Sequence, residues 1–147
     1  MASSSFSPNR GGSPQVSGSV LGDGVSTALI LVIEDESMVL MGYRMLFESW
    51  GYRVIAAGSA DEALDFLADH PFAPDVIVAD FRLRNGATGI EAIRAVEGRY
   101  AASIPAILIT GDTAADRLRE AIASGLPVLH KPVNGRKLQT LLETCLN

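Results

Sequence analysis

Apolar residues in this chain gather in short runs that alternate with longer stretches of helical spacing. Residues 28–33 (ALILVI) form a continuous branched apolar run, as expected of a strand covered on both faces. The run stops at Glu34, Asp35 and Glu36, after which Ser37 is placed to cap a helix. Val39, Gly42, Tyr43, Leu46, Phe47 and Trp50 then recur at helical spacing, and Gly51 is placed to end the helix. The unit repeats. Residues 53–57 predict a second strand, and Ser59-Ala60-Asp61-Glu62 has the form of a capping box opening a helix to about residue 69, with Pro71 and Pro74 marking the exit. Residues 75–79 (DVIVA) predict a third buried strand ending at Asp80; after a Gly-containing loop, Ile90, Ile93, Ala95 and Val96 supply the apolar side of a third helix. Residues 105–109 (PAILI) predict the fourth strand, ending at Thr110, and a fourth helix over roughly 114–124 is closed by Gly125. Residues 128–130 predict a short fifth strand before Lys131-Pro132, and Asn134 is placed to cap a last helix over 135–146.

Five strands alternating with five helices predict a parallel sheet with helices on both faces, because right-handed crossovers leave few other ways to pack such units. The expected architecture is an α/β, flavodoxin-like, doubly wound (βα)5 fold with strand order 2-1-3-4-5. In such sheets the functional crevice lies outside the C-terminal ends of the strands. Glu34, Asp35, Asp80, Thr110 and Lys131 should therefore converge there.

Composition narrows the setting. At 147 residues, nearly half of them apolar, the chain has the size and core of one domain. Residues 1–26 are mostly Ser, Gly and Pro and bury too little to offset their ordering entropy, so a disordered tail is expected ahead of a domain over 27–147. A net charge of -5 with no Lys/Arg cluster argues against direct nucleic-acid binding. No apolar stretch is long enough for a membrane span, and the first residues lack a signal peptide's basic and apolar regions, so a cytoplasmic protein is expected. The lone Cys145 excludes an intrachain disulfide and is expected to pack as a small hydrophobe on the terminal helix.

Three carboxylates brought together repel one another and raise at least one pKa unless a cation neutralises them. Oxygen-only ligands with room left for water and a phosphoryl oxygen suit Mg2+ better than zinc or a full calcium cage. Lys131 brings a positive charge to the same rim and Thr110 a hydroxyl donor, which together outline a phosphoryl site. An ionised Asp is a competent acceptor that yields an acyl phosphate, and Asp80, at the end of the central strand, is the expected nucleophile.

An acidic pair after the first strand, a lone Asp after the third, a Thr after the fourth and a Lys-Pro after the fifth resemble the receiver domain of two-component response regulators. The resemblance covers about residues 28–146. It implies that Asp35 and Asp80 bind the metal through their carboxylates, Arg82 through its backbone carbonyl and Glu34 through water. It implies further that Asp80 accepts phosphate from a histidine kinase or a histidine phosphotransfer domain, and that Lys131 pairs with the phosphoryl group. Thr110 would swing toward that group and bias a surface formed by the fourth helix, fifth strand and fifth helix, through which a homodimer is a further expectation. A cis bond at Lys131-Pro132 is implied as well. Such a domain assists its own phosphorylation and dephosphorylation and is no conventional turnover enzyme.

Two departures stand out: Val128 occupies the position where the family often carries a switching aromatic, and Arg82 and Asp112 flank the site, where they would tune phosphoryl lifetime. On the first helix a second apolar line, Met38, Met41 and Met45, is either additional core or a docking surface for the histidine domain. His70 and His130 have no plausible ligand set and are expected to be structural or exposed.

Rival functions fit less well. A small metal-dependent phosphotransferase would want a second catalytic Asp where Arg82 stands, and a nucleotide or flavin binder would want a Gly-rich loop where the acids stand. A receiver that acts by interaction alone would not need the full set of five. The segment LPVLHKPV is similar to receivers at the C-termini of hybrid histidine kinases, so the chain either stands alone or forms part of such a protein.

Overall fold

The computed structural model describes residues 28–111 and 115–147; the expected tail lies outside them, as does Asp112. Strands β1 (Leu29–Ile33), β2 (Arg53–Ala57), β3 (Val76–Asp80), β4 (Ala106–Thr110) and β5 (Val128–His130) alternate with helices α1 (Ser37–Ser49), α2 (Ala60–Phe66), α3 (Gly89–Tyr100), α4 (Ala115–Ala123) and α5 (Gly135–Leu146). All strand pairs are parallel, in the order β2-β1-β3-β4-β5. This is the expected flavodoxin-like arrangement.

The three central strands are buried along their whole length because each of their faces feeds a different core. Leu31, Ile33, Ile77, Ala79 and Leu108 point to one side, where Leu67, Ile93 and Val96 cover them. Ile30, Val32, Val76, Val78, Ile107 and Ile109 point to the other, against Phe47, Leu138 and Leu142. A strand period of two thus hides inside an unbroken apolar run. Phe47, stacked on Tyr43 with ring centroids 5.9 Å apart, anchors α1 to the second core.

Several local expectations shift. Ser37 is the first residue of α1 rather than its cap, because the chain stays extended through Glu36, whose side chain makes no capping bond. Gly42 is exposed; the stripe that meets the core runs through Leu40, Tyr43, Leu46, Phe47 and Trp50. The Met line is not core, since Met38, Met41 and Met45 are 85%, 56% and 64% exposed. Ser59 caps α2 by accepting from the Glu62 N–H, but the Glu62 carboxylate accepts from Gly58 instead of closing the box on Ser59. Helix α2 stops at Phe66, short of residue 69, and α3 takes up carbonyls beyond it. The Tyr100 hydroxyl donates to His70 O at 3.0 Å, and Arg99 donates to Ala68 O at 3.3 Å.

The loop after β3 is more ordered than a plain connection. Leu83 N–H donates to Ala87 O, Arg82 and Thr88 form an antiparallel bridge, and a 3-10 turn at Arg84–Gly86 carries Asn85 and Gly86 with φ of 61° and 77°. Asn-Gly is the dipeptide that tolerates consecutive left-handed residues, so the loop closes as a small hairpin. Helix α3 then starts on a complete capping box between Thr88 and Glu91.

Candidate functional site

Parallel register brings the strand ends to one rim: Ile33 lies beside Ala57 and Ala79, Asp80 beside Ile109, and Thr110 beside His130. The next residues of the chain therefore emerge together. Carboxylate oxygens of Glu34, Asp35 and Asp80 all lie within 4.8 Å of one another. Lys131 reaches in from the end of β5, with Nζ 3.1 Å from Asp80 Oδ2 and 3.7 Å from Glu34 Oε1. Its own N–H donates to the Thr110 carbonyl at 2.8 Å, which ties β5 to the end of β4. Thr110 is buried. The Lys131–Pro132 bond is cis, as expected.

Helix α3 approaches Asp80 so closely that only glycine fits at its first position. A Cβ at Gly89 would collide with the Asp80 carbonyl oxygen, while the Gly89 N–H donates to Phe81 O at 2.8 Å. The backbone around Asp80 is thereby tied to the start of α3.

Electrostatics at the rim follow from burial. Glu34 is almost wholly enclosed, and its Oε1 has no hydrogen-bond donor. Burial above all lifts its pKa from 4.5 to about 7; the Glu36 N–H, donated to Oε2 at 3.0 Å, pulls it back, the Asp80 charge pushes it further up and Lys131 draws it down. For Lys131, burial works against the charged amine, but the hydrogen bond and charge of Asp80, with Glu34 adding, outweigh it and raise the pKa. Tyr43 is raised chiefly by burial, with the charges of Lys131, Glu34 and Asp80 also acting on it.

Of the residues selected from the sequence, Glu34, Asp35, Asp80 and Lys131 form one cluster and Thr110 adjoins it through Lys131. Arg82 sits on the β3–α3 hairpin with an exposed side chain. His70 bonds through its backbone, donating its N–H to Leu67 O and accepting from the Tyr100 hydroxyl, and His130 is exposed. One residue outside that set enters the site: Arg84 donates from Nη2 to Asp35 O at 3.3 Å and holds Nε 3.6 Å from Asp35 Oδ2. The Asn85-Gly86 turn signal was the clue that the chain doubles back there.

The donor set fits a hard divalent cation. It is all oxygen, brings three carboxylates within 4.8 Å of one another and includes a buried carboxylate oxygen that accepts no hydrogen bond.

Comparisons with known proteins agree with the geometry. The chain is 32% identical over 118 residues to the transcriptional regulatory protein ZraR of Klebsiella oxytoca, covering 80% of this chain and 26% of that protein. It is 33% identical over 97 residues to the transcriptional regulatory protein KdpE of Mycobacterium tuberculosis, covering 66% of this chain and 41% of that one. The chain thus spans about a quarter to two fifths of the length of these relatives. A response regulator receiver domain protein from Clostridium thermocellum matches the fold with a TM-score of 0.70 and 28% identity, covering 82% of this chain and 94% of that one. The chemotaxis protein CheY4 of Vibrio cholerae matches with a TM-score of 0.68 and 27% identity, covering 82% and 100%. Residues 30–143 match the response regulator receiver domain, so the chain belongs to the receiver family of two-component systems.

Proposed function

We propose that this receiver is a phosphoacceptor in a phosphorelay, with Asp80 taking a phosphoryl group from a phosphohistidine of a kinase or of a histidine phosphotransfer domain. An Asp80 carboxylate oxygen attacks phosphorus, the P–N bond breaks, the imidazole leaves with its electron pair, and an acyl phosphate results. The observation that carries this reading is the contact of the enclosed Asp80 with Lys131 at 3.1 Å, inside the same cluster as Glu34 and Asp35. Lys131 is already charged and aimed at the position where phosphoryl oxygens would gather. Thr110, at the end of the neighbouring strand, has a hydroxyl to offer them. Glu34, Asp35, Asp80 and the Arg82 carbonyl would hold Mg2+, which when bound neutralises charge on the transferring group.

The donor histidine must reach Asp80, so the partner has to cover the rim where α1 begins. The exposed Met38, Met41 and Met45 lie on that helix and supply an adaptable apolar surface for a helical histidine domain. Output would pass through α4, β5 and α5, with a homodimer across that surface as one form of it. A cytoplasmic location belongs to the same proposal. The test is incubation of wild type and Asp80→Asn with acetyl phosphate, with and without Mg2+, read by intact mass. A phosphoryl adduct that requires Mg2+ and is lost in Asp80→Asn is the expected result. Absence of adduct in the wild type under every condition would overturn the proposal in favour of a receiver that acts by interaction alone.

A further inference from the structure

The three acids do not share their counter-charges evenly. Lys131 serves Glu34 and Asp80, while Asp35 is served from a different loop by Arg84. That second contact is two-pronged, to the Asp35 carboxylate at 3.6 Å and to its carbonyl at 3.3 Å, and it joins positions 49 residues apart. The hairpin makes the reach possible: its closing Leu83–Ala87 bond and its left-handed Asn85 and Gly86 turn the chain back towards the end of β1. The Arg84 side chain is 73% exposed and that of Asp35 only 17%, so the guanidinium lies over the acid without being enclosed itself.

We infer that Arg84 is an internal competitor of the divalent cation, occupying Asp35 while the metal is absent and weakening metal affinity through like-charge repulsion. This rests on the metal-dependent reading above. The sign follows from comparing two effects. Fixing the short Asp35 side chain in place saves little conformational entropy, whereas a single charge beside a doubly charged ion is repelled whichever Asp35 oxygen the ion uses. Because Arg84 is solvent-facing, the repulsion is screened by salt. Arg84 would therefore set the Mg2+ concentration at which the receiver becomes competent, and removing it would lower that threshold.

Isothermal titration of the full chain with MgCl2, for wild type, Arg84→Ala and Arg84→Lys, reads this directly and does not depend on phosphorylation. Arg84→Ala should bind about fivefold more tightly at low ionic strength, the effect of removing one exposed like charge. Arg84→Lys should stay near wild type, and the gap should shrink at high salt. Equal or weaker binding by Arg84→Ala, with wild type binding normally, would overturn the inference and leave the receiver reading intact. A wild type that binds no divalent ion would remove both the inference and the metal-dependent phosphoacceptor reading on which it rests. Since Arg84 contributes nothing to either core, its variants should keep the wild-type circular dichroism spectrum, which checks that the folds are comparable.

Discussion

Replacing Glu34 with Gln in the metal-free protein removes a charge but keeps an oxygen able to accept the Glu36 N–H. Burial, more than any neighbouring charge, lifts Glu34 from 4.5 to about 7, and each unit of such a shift corresponds to about 1.4 kcal/mol. A carboxyl whose folded pKa lies above its unfolded one contributes stability that is complete below the unfolded value and is lost as pH rises through the folded value. The total at stake is about 3 kcal/mol, and about 2 kcal/mol of it disappears between about pH 5.5 and pH 8.5. Urea unfolding in EDTA at those two values, followed by circular dichroism, should show Glu34→Gln gaining about 2 kcal/mol on wild type as pH rises. Adding Mg2+ at the higher pH should close the gap, because a ligand at about a hundred times its Kd stabilises by about 2.7 kcal/mol and the variant has lost one metal ligand. Parallel pH dependence of the two proteins would refute the reasoning, since it would mean that Glu34 bears no net cost of charge.

Three further outcomes are expected. Gly89→Ala must displace α3 from the Asp80 carbonyl, a backbone atom with little freedom to yield, and should cost about 1–3 kcal/mol in urea unfolding while slowing acetyl phosphate labelling. Met41→Glu should slow transfer from a phosphorylated histidine domain while leaving acetyl phosphate labelling unchanged, and equal slowing of both would remove the docking role. Arg82→Ala should change the half-life of the acyl phosphate measured by loss of adduct mass; an unchanged half-life would show that this exposed side chain does not govern access of water.

Most of the fold was legible because the parallel sheet announces itself through composition. A five-residue run such as LILVI can be continuously apolar only if both faces are covered, and with helical spacing between runs the doubly wound arrangement follows. The misplaced details are those set by a partner element. The carbonyls just past α2 are taken up by Tyr100 and Arg99 of α3, and Gly42 faces solvent because Phe47 and Tyr43 pack into the core against the sheet. Neither contact is visible in a local window of sequence.

At the site, strand ends could be read as a set because topology alone brings them together, whereas the division of charge among them could not. Asp35 looks the same in sequence whether or not a guanidinium rests on it. That depends on the hairpin at Arg84–Gly86, whose Asn85-Gly86 signal is local but whose reach to β1 is not. The same limit bears on output. Val128 stands on the short β5, half-buried and without a ring to rotate, while Lys131 is bonded through its N–H to Thr110. On the proposed phosphoacceptor function, a signal arriving at Lys131 and Thr110 would have a backbone path into β5, and displacement of the strand would stand in for the rotation of a side chain.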